Sequence, residues 1–235
     1  MALLVEVCVQ GIEAAIAAQN GGAGRVELCE DIAVGGVTPG AGVIGVARER
    51  LAIPVHVLIR PRGGNFVYTD AEFDVMRRDS ELVKTLGAAG VVLGILHEDG
   101  SVDLRRTSRL IDDARPLSIT FHKAFDETSD PFTALEQLID LGVERVLTAG
   151  GKPLVSEGLD RLAELARKAK GRIIVMPGGR IRLDDVPALV ALGFEEIHVG
   201  SAACADGRTD AGKVRWVVDA GRINAGSSVR DDGAC

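Results

Sequence analysis

Eight short β-branched runs alternate with segments of helical spacing at roughly 29 residues per unit, and strand and helix never sort into separate blocks. These observations predict an α/β chain closed into a single (β/α)8 TIM barrel, since parallel strands need a crossover between each pair. An open sheet with an odd edge strand is the competing architecture.

The expected strands are residues 3–9 (LLVEVCV), 25–29 (RVELC), 54–60 (PVHVLIR), 90–96 (GVVLGIL), 117–122 (LSITFH), 145–150 (RVLTAG), 172–178 (RIIVMPG) and 196–201 (EIHVGS). Helical spacing covers 12–20, 70–86 after the Thr69-Asp70 start signal, 104–115, 131–141 after Ser129-Asp130, and 156–170. A loose repeat supports closure: LGAAGVVLG at 86, LGVERVLTAG at 141 and LGFEEIHVG at 192 each place a helix-ending glycine before an even-numbered strand, with NGGAGRVEL at 20 a weaker copy. No interdomain linker is visible. Residues 1–224 are expected to form the barrel and 225–235 (AGSSVRDDGAC) a disordered tail.

Composition narrows the function classes. The 235 residues are 46% hydrophobic and 26% charged, enough for one large core. A formal net charge of -7 without a basic cluster argues against nucleic acid as a partner. No apolar run reaches the ~18 residues of a membrane helix, so no membrane is expected. Glu6 interrupts the start before a signal-peptide core could form, and Cys8, Cys29, Cys204 and Cys235 include no C-x-x-C pair. A cytoplasmic chain with reduced thiols is the expectation.

Strand alternation then selects the interior. The outward face of a barrel meets helices and must be apolar. With Val5, Val7, Val9, Val26 and Leu28 outward, Glu6, Cys8, Glu27 and Cys29 turn inward. By the same rule His56, Leu58 and Arg60 face inward from the third strand, Thr120 and His122 from the fifth, Thr148 from the sixth and His198 from the eighth. So many polar groups can be buried only as a mutually paired network, and such groups at strand C-termini are characteristic of functional sites.

Within this set E-x-C occurs twice, at Glu6-Val7-Cys8 and Glu27-Leu28-Cys29. Adjacent strands lie about 4.8 Å apart, which brings both thiols within reach of one soft metal such as Cu(I), with His122 or His56 able to add an imidazole. Each cysteine taken alone reads as a small core residue. The loop 60–68 (RPRGGNFVY) offers Arg60 and Arg62 as an anion clamp. Gly178-Gly179 and Gly200-Ser201 lie where many barrels bind phosphate through backbone amides. Lys123 has the opposite parity to His122 and carries no assigned role, and His97 belongs to an exposed turn. Two activities therefore stay open. One is Cu(I) binding through Cys8 and Cys29. The other is acid–base chemistry by Glu6, Glu27 and His122, with Arg60, on a small anionic or phosphorylated metabolite held by Arg60, Arg62 and the Gly178, Gly179, Gly200 and Ser201 backbone. A barrel acting only through partner contact ranks below both.

The segments VEVCV, GRVELCED, GGVTPG, IRPRGGNFVY, HEDGSVD, TFHKAFDE, VLTAGG and MPGGRI, in this order, resemble the CutC copper-homeostasis family along nearly the whole chain. Departures fall at the barrel mouth, at Asn65, Lys123, Pro177 and Arg180. The resemblance implies a single TIM barrel, a cytoplasmic setting, a homo-oligomer with a dimer favoured, and a role in handling intracellular copper. The family's suggested Cu(I) ligands correspond here to Cys8 and Cys29.

Overall fold

A computed structural model describes the backbone of residues 3–225 and side chains through residue 222; the expected tail from 226 onward lies outside the described residues. Eight parallel strands run β1 (Leu4–Gln10), β2 (Arg25–Cys29), β3 (Val55–Leu58), β4 (Gly90–Leu93), β5 (Ser118–Phe121), β6 (Arg145–Thr148), β7 (Ile174–Pro177) and β8 (Glu196–Val199). Each sequence neighbour pairs in space, β1 also pairs with β8, and a single Gly178–His198 bridge between β7 and β8 makes the barrel nearly closed.

The helices are α1 (Gly11–Asn20), α2 (Ala41–Arg50), α3 (Asp70–Thr85), α4 (Leu104–Ala114), α5 (Pro131–Asp140), α6 (Leu159–Ala169), α7 (Val186–Ala191) and α8 (Ala211–Ala225). Their start signals act as expected. Thr69 and Glu72 form a reciprocal capping box at α3, and Asp130 caps α5 ahead of Pro131. A short antiparallel hairpin, β9 (Cys204–Ala205) and β10 (Arg208–Thr209), follows β8.

The core is the annulus between strands and helices. Val5, Val7, Val9, Val26, Leu28, Val55, Val57 and Ile59 are buried there, and each such side chain contributes roughly 1.5–3 kcal/mol when removed from water. In the interior, Cys29, Leu58 and Val92 form a small apolar cluster with Cys8 packed on it. On the β4 side, glycines make room for imidazoles. A Cβ on Gly90 would lie 2.6 Å from His56 Nε2, and one on Gly94 would lie 2.5 Å from the His122 ring.

One parity expectation is corrected. Arg145 enters the interior, where it pairs with Glu196, and Leu147 follows it inward, so Thr148 faces the helical shell. Its hydroxyl is satisfied there by Asp126, in the 3-10 turn after β5. A small hydroxyl can sit on the apolar side of a strand when a local acceptor reaches it, and that defeats a polar-inward rule.

Candidate functional site

The interior has two levels. At the lower level Arg25 bonds Glu6 and, at 2.6 Å, Glu196; Arg145 meets Glu196 at 3.0 Å and donates to the Ser118 hydroxyl at 2.8 Å. Two guanidinium groups face two carboxylates, which satisfies the pairing that burial demands. His56 lies beside this network, Nδ1 3.9 Å from Glu6, and burial, together with the Arg25 and Arg145 charges, lowers its pKa to about 4.

At the upper level, the strand C-termini enclose a cavity of about 170 Å³ lined by Cys8, Glu27, Cys29, Leu58, Arg60, Phe66, His122, Lys123, Leu147 and His198, with Ile32 and Gly35-Gly36 from the loop after β2. Strand register places its donors. Cys8 is level with Glu27 and Gln10 with Cys29, yet the two thiols meet at Sγ–Sγ 3.6 Å. The Cys29 thiol also approaches the Val9 carbonyl at 3.5 Å. Ligand atoms of Cys8, Glu27 and His198 all lie within 4.8 Å of one another.

His198 links the levels. Its Nδ1 is 2.8 Å from Glu6 Oε1 and its Nε2 is 3.7 Å from Glu27 Oε2. Burial opposes its charge, but the Glu27 carboxylate and the Glu6 hydrogen bond outweigh that and raise its pKa. Burial also opposes the charge on Glu6, yet the His198 hydrogen bond and the Arg25 charge hold Glu6 well below the usual carboxylate range. Glu27, with weaker support, is raised by burial. The Cys8 thiol is pushed well up by its hydrogen bond with Cys29, by burial and by the Glu27 charge.

Of the acid–base trio, Glu6 is thus tied into the lower network, while Glu27 and His122 line the cavity from different strands. Arg60 is buried beside it, but its Nη1 donates to the Val34 and Gly36 carbonyls at 3.2 and 2.9 Å and its Nη2 to Gly64 at 2.6 Å, so the guanidinium pins two loops together over the mouth. Arg62 is not a lining residue. It bonds Glu72 at 2.6 Å and the Asn65 and Val67 carbonyls. Gly178 gives its amide to the Thr148 carbonyl, Gly179 lies at the rim beneath Lys123, and Ser201 faces a different depression bordered by Lys213 and Trp216. The structure does not bring the paired glycines and Arg62 together around one anion.

His198 is the site residue that the candidate set omitted, although its inward direction was legible. Arg25 shares the parity of Glu27 and Cys29 and was equally readable. Lys123 reaches the cavity because the chain leaves the strand at His122 and enters a 3-10 turn, Lys123–Glu127, where strand alternation no longer applies. His97 lies in an exposed turn as expected, and its pairing with Asp103 is only a 4.0 Å contact.

Together these features define a (β/α)8 barrel with a small dithiol cavity at its strand C-termini. Residues 3–203 match the CutC family. The chain is 47% identical over 204 residues to the copper homeostasis protein cutC homolog of Mus musculus, covering 86% of this chain and 75% of that protein, and 45% identical over 203 residues to a CutC family protein of Parabacteroides distasonis, covering 86% and 84%. A CutC crystal structure from Streptococcus agalactiae superposes with a TM-score of 0.81 at 34% identity, covering 85% of this chain and 98% of that one. The chain belongs to the CutC family.

Proposed function

We propose that this copper-homeostasis family member binds Cu(I) through Cys8 and Cys29, with His198 and Glu27 as the adjoining donors. The observation that carries this reading is the 3.6 Å thiol pair in the wall of a cavity that also presents an imidazole and a carboxylate. Cu(I) favours thiolate and tolerates two or three ligands. Both thiols must lose protons on metallation, so binding releases protons to solvent.

The imidazole in this set is His198 rather than His122. The Ala124 amide donates to His122 Nδ1 at 3.2 Å, so the neutral ring carries its proton on Nε2 and has no lone pair to offer there. His56 lies outside the cavity lining. The three described cysteines are free, which suits a chain working in the reducing cytoplasm, and a homodimer is the assembly expected of it.

Anaerobic Cu(I) titration against a competing chelator tests the reading. The wild type should bind one Cu(I) per chain, and the Cys8→Ser/Cys29→Ser variant should bind at least about a hundredfold more weakly, as expected when the soft ligands are lost. Equal affinity in the two proteins would end it. Light scattering would show the dimer or refute it.

A further inference from the structure

Cys8 lies in the C-terminal half of β1, and His122 follows β5, which stands across the eight-stranded barrel from it. The His122 side of the cavity has a character of its own. His122 is only 5% exposed and forms part of the lining, and its ring is fixed by the Ala124 amide on Nδ1 and by Phe66, whose centroid lies 4.8 Å away. The accepted hydrogen bond makes Nε2–H a donor, and this buried atom has no partner among the described residues. A buried donor left without an acceptor costs about 1–3 kcal/mol, and such groups in native proteins call for a ligand or water.

The surroundings specify the missing acceptor. Burial and the Arg60 charge lower the His122 pKa to about 3, so the ring is a neutral donor at physiological pH. Lys123, at the same rim, is half-exposed. Its nearest carboxylate, Asp126, is 3.9 Å away and already accepts from the Ala149 and Gly151 amides and from Thr148. The lining's carboxylate, Glu27, sits with Cys8 and His198 instead. Among the described residues, one side of the cavity therefore carries donors and positive charge with no acceptor bonded to them, in a space below the ~300–1,000 Å³ typical of sites for drug-sized ligands.

We infer that this side of the cavity, formed by His122 Nε2–H and Lys123 Nζ beside the Arg60 guanidinium, is a subsite for the oxyanion group of a small organic ligand, a carboxylate or a phosphate. The subsite goes beyond copper binding and does not depend on the thiols. Arg60 contributes charge while its Nη groups remain committed to loop carbonyls, so His122 and Lys123 supply the contacts.

Ring-¹⁵N-histidine NMR on the full chain tests it, with sodium acetate, inorganic phosphate and neutral acetamide as probes. A saturable shift of the His122 Nε2–H signal with acetate or phosphate is expected, with tighter binding by one of them assigning the oxyanion class. Lys123→Gln should weaken that binding about tenfold, the scale of one charge-assisted contact. His122→Gln, which retains an N–H near the Nε2 position, should keep more affinity than His122→Phe, both followed by isothermal titration calorimetry with the same anions because the ring signal is gone. The Cys8→Ser/Cys29→Ser variant should bind the anion as the wild type does, whatever it does to Cu(I). No saturable shift with either anion, an equal response to acetamide, or undiminished affinity in Lys123→Gln would overturn the inference; loss of anion binding in the thiol variant would overturn its independence from the metal site.

Discussion

The lower and upper levels of the barrel interior are built from the same kinds of residue but reach opposite solutions. Below, Arg25, Arg145, Glu6 and Glu196 answer one another with guanidinium–carboxylate bonds, and Ser118 takes a remaining donor. Above, the Cys8 and Cys29 thiols lie 3.6 Å apart, the hydrogen bond with Cys29 and burial push the Cys8 thiol up, Glu27 is raised by burial, and His122 Nε2–H has no partner among the described residues. The comparison teaches that polar residues inside a barrel are not themselves a mark of function. What separates the levels is how the charged groups are matched: below, guanidiniums and carboxylates answer one another at bonding distance, whereas above, Lys123 stands 3.9 Å from its nearest carboxylate beside the unpartnered His122 Nε2–H.

The largest expected effect lies in the paired level. Arg25→Met leaves Glu6 and Glu196 partly uncompensated in a buried site, and chemical unfolding should register a loss of about 3–5 kcal/mol. A loss under ~1 kcal/mol would show that the lower network does not hold the barrel together.

Gly36→Ala comes next and acts on the upper level. Gly36 has φ +87°, and its added Cβ would lie 2.8 Å from Leu58 and 3.6 Å from the Cys29 sulfur. Strain of about 1–3 kcal/mol is expected, together with weaker Cu(I) binding in the chelator competition because the methyl crowds the Cys29 side. Unchanged affinity would remove the loop after β2 from the site.

A pH experiment resolves a smaller difference. His56 has a folded pKa of about 4 against an ordinary 6.5, so the unfolded chain takes up its proton first. The stability this group contributes is complete above about pH 6.5 and is lost as pH falls toward 4. Between pH 7.5 and 5 that amounts to roughly 2 kcal/mol, and His56→Gln should flatten the unfolding curve by that amount. An identical pH slope in the variant would refute the assignment. His198 has the reverse sign. Its raised pKa favours the fold at low pH, and that contribution fades as pH rises through its folded pKa.

Lys123→Gln should change stability by less than ~0.5 kcal/mol, because this half-exposed ammonium lies 3.9 Å from its nearest carboxylate. A substantial destabilisation in the same unfolding assay would move Lys123 from the ligand-facing group into the paired one.

Several of these distinctions were visible before any coordinates. Alternation along β1, β2, β3 and β5 correctly turned Glu6, Cys8, Glu27, Cys29, Arg60 and His122 inward, because a side chain one residue out of register would have placed a charge against the helices. The same rule failed at Thr148, whose hydroxyl finds Asp126 on the helical side. It also misplaced Lys123, whose opposite parity pointed it toward helices or solvent, because this residue follows the strand rather than belonging to it and reaches the cavity lining.

Local pattern therefore determined the eight-unit barrel, the helix starts at Thr69 and Asp130, and most of the list of residues facing the axis, since period-two burial and capping depend on near neighbours. Only the tertiary structure decided which of those residues answer one another. Arg25 meets Glu6 from the neighbouring strand and Glu196 from 171 residues away, and Arg62 is claimed by Glu72 before it can reach the cavity. Partner choice depends on how strands are staggered around a nearly closed barrel, a long-range relation that periodicity along one strand does not contain.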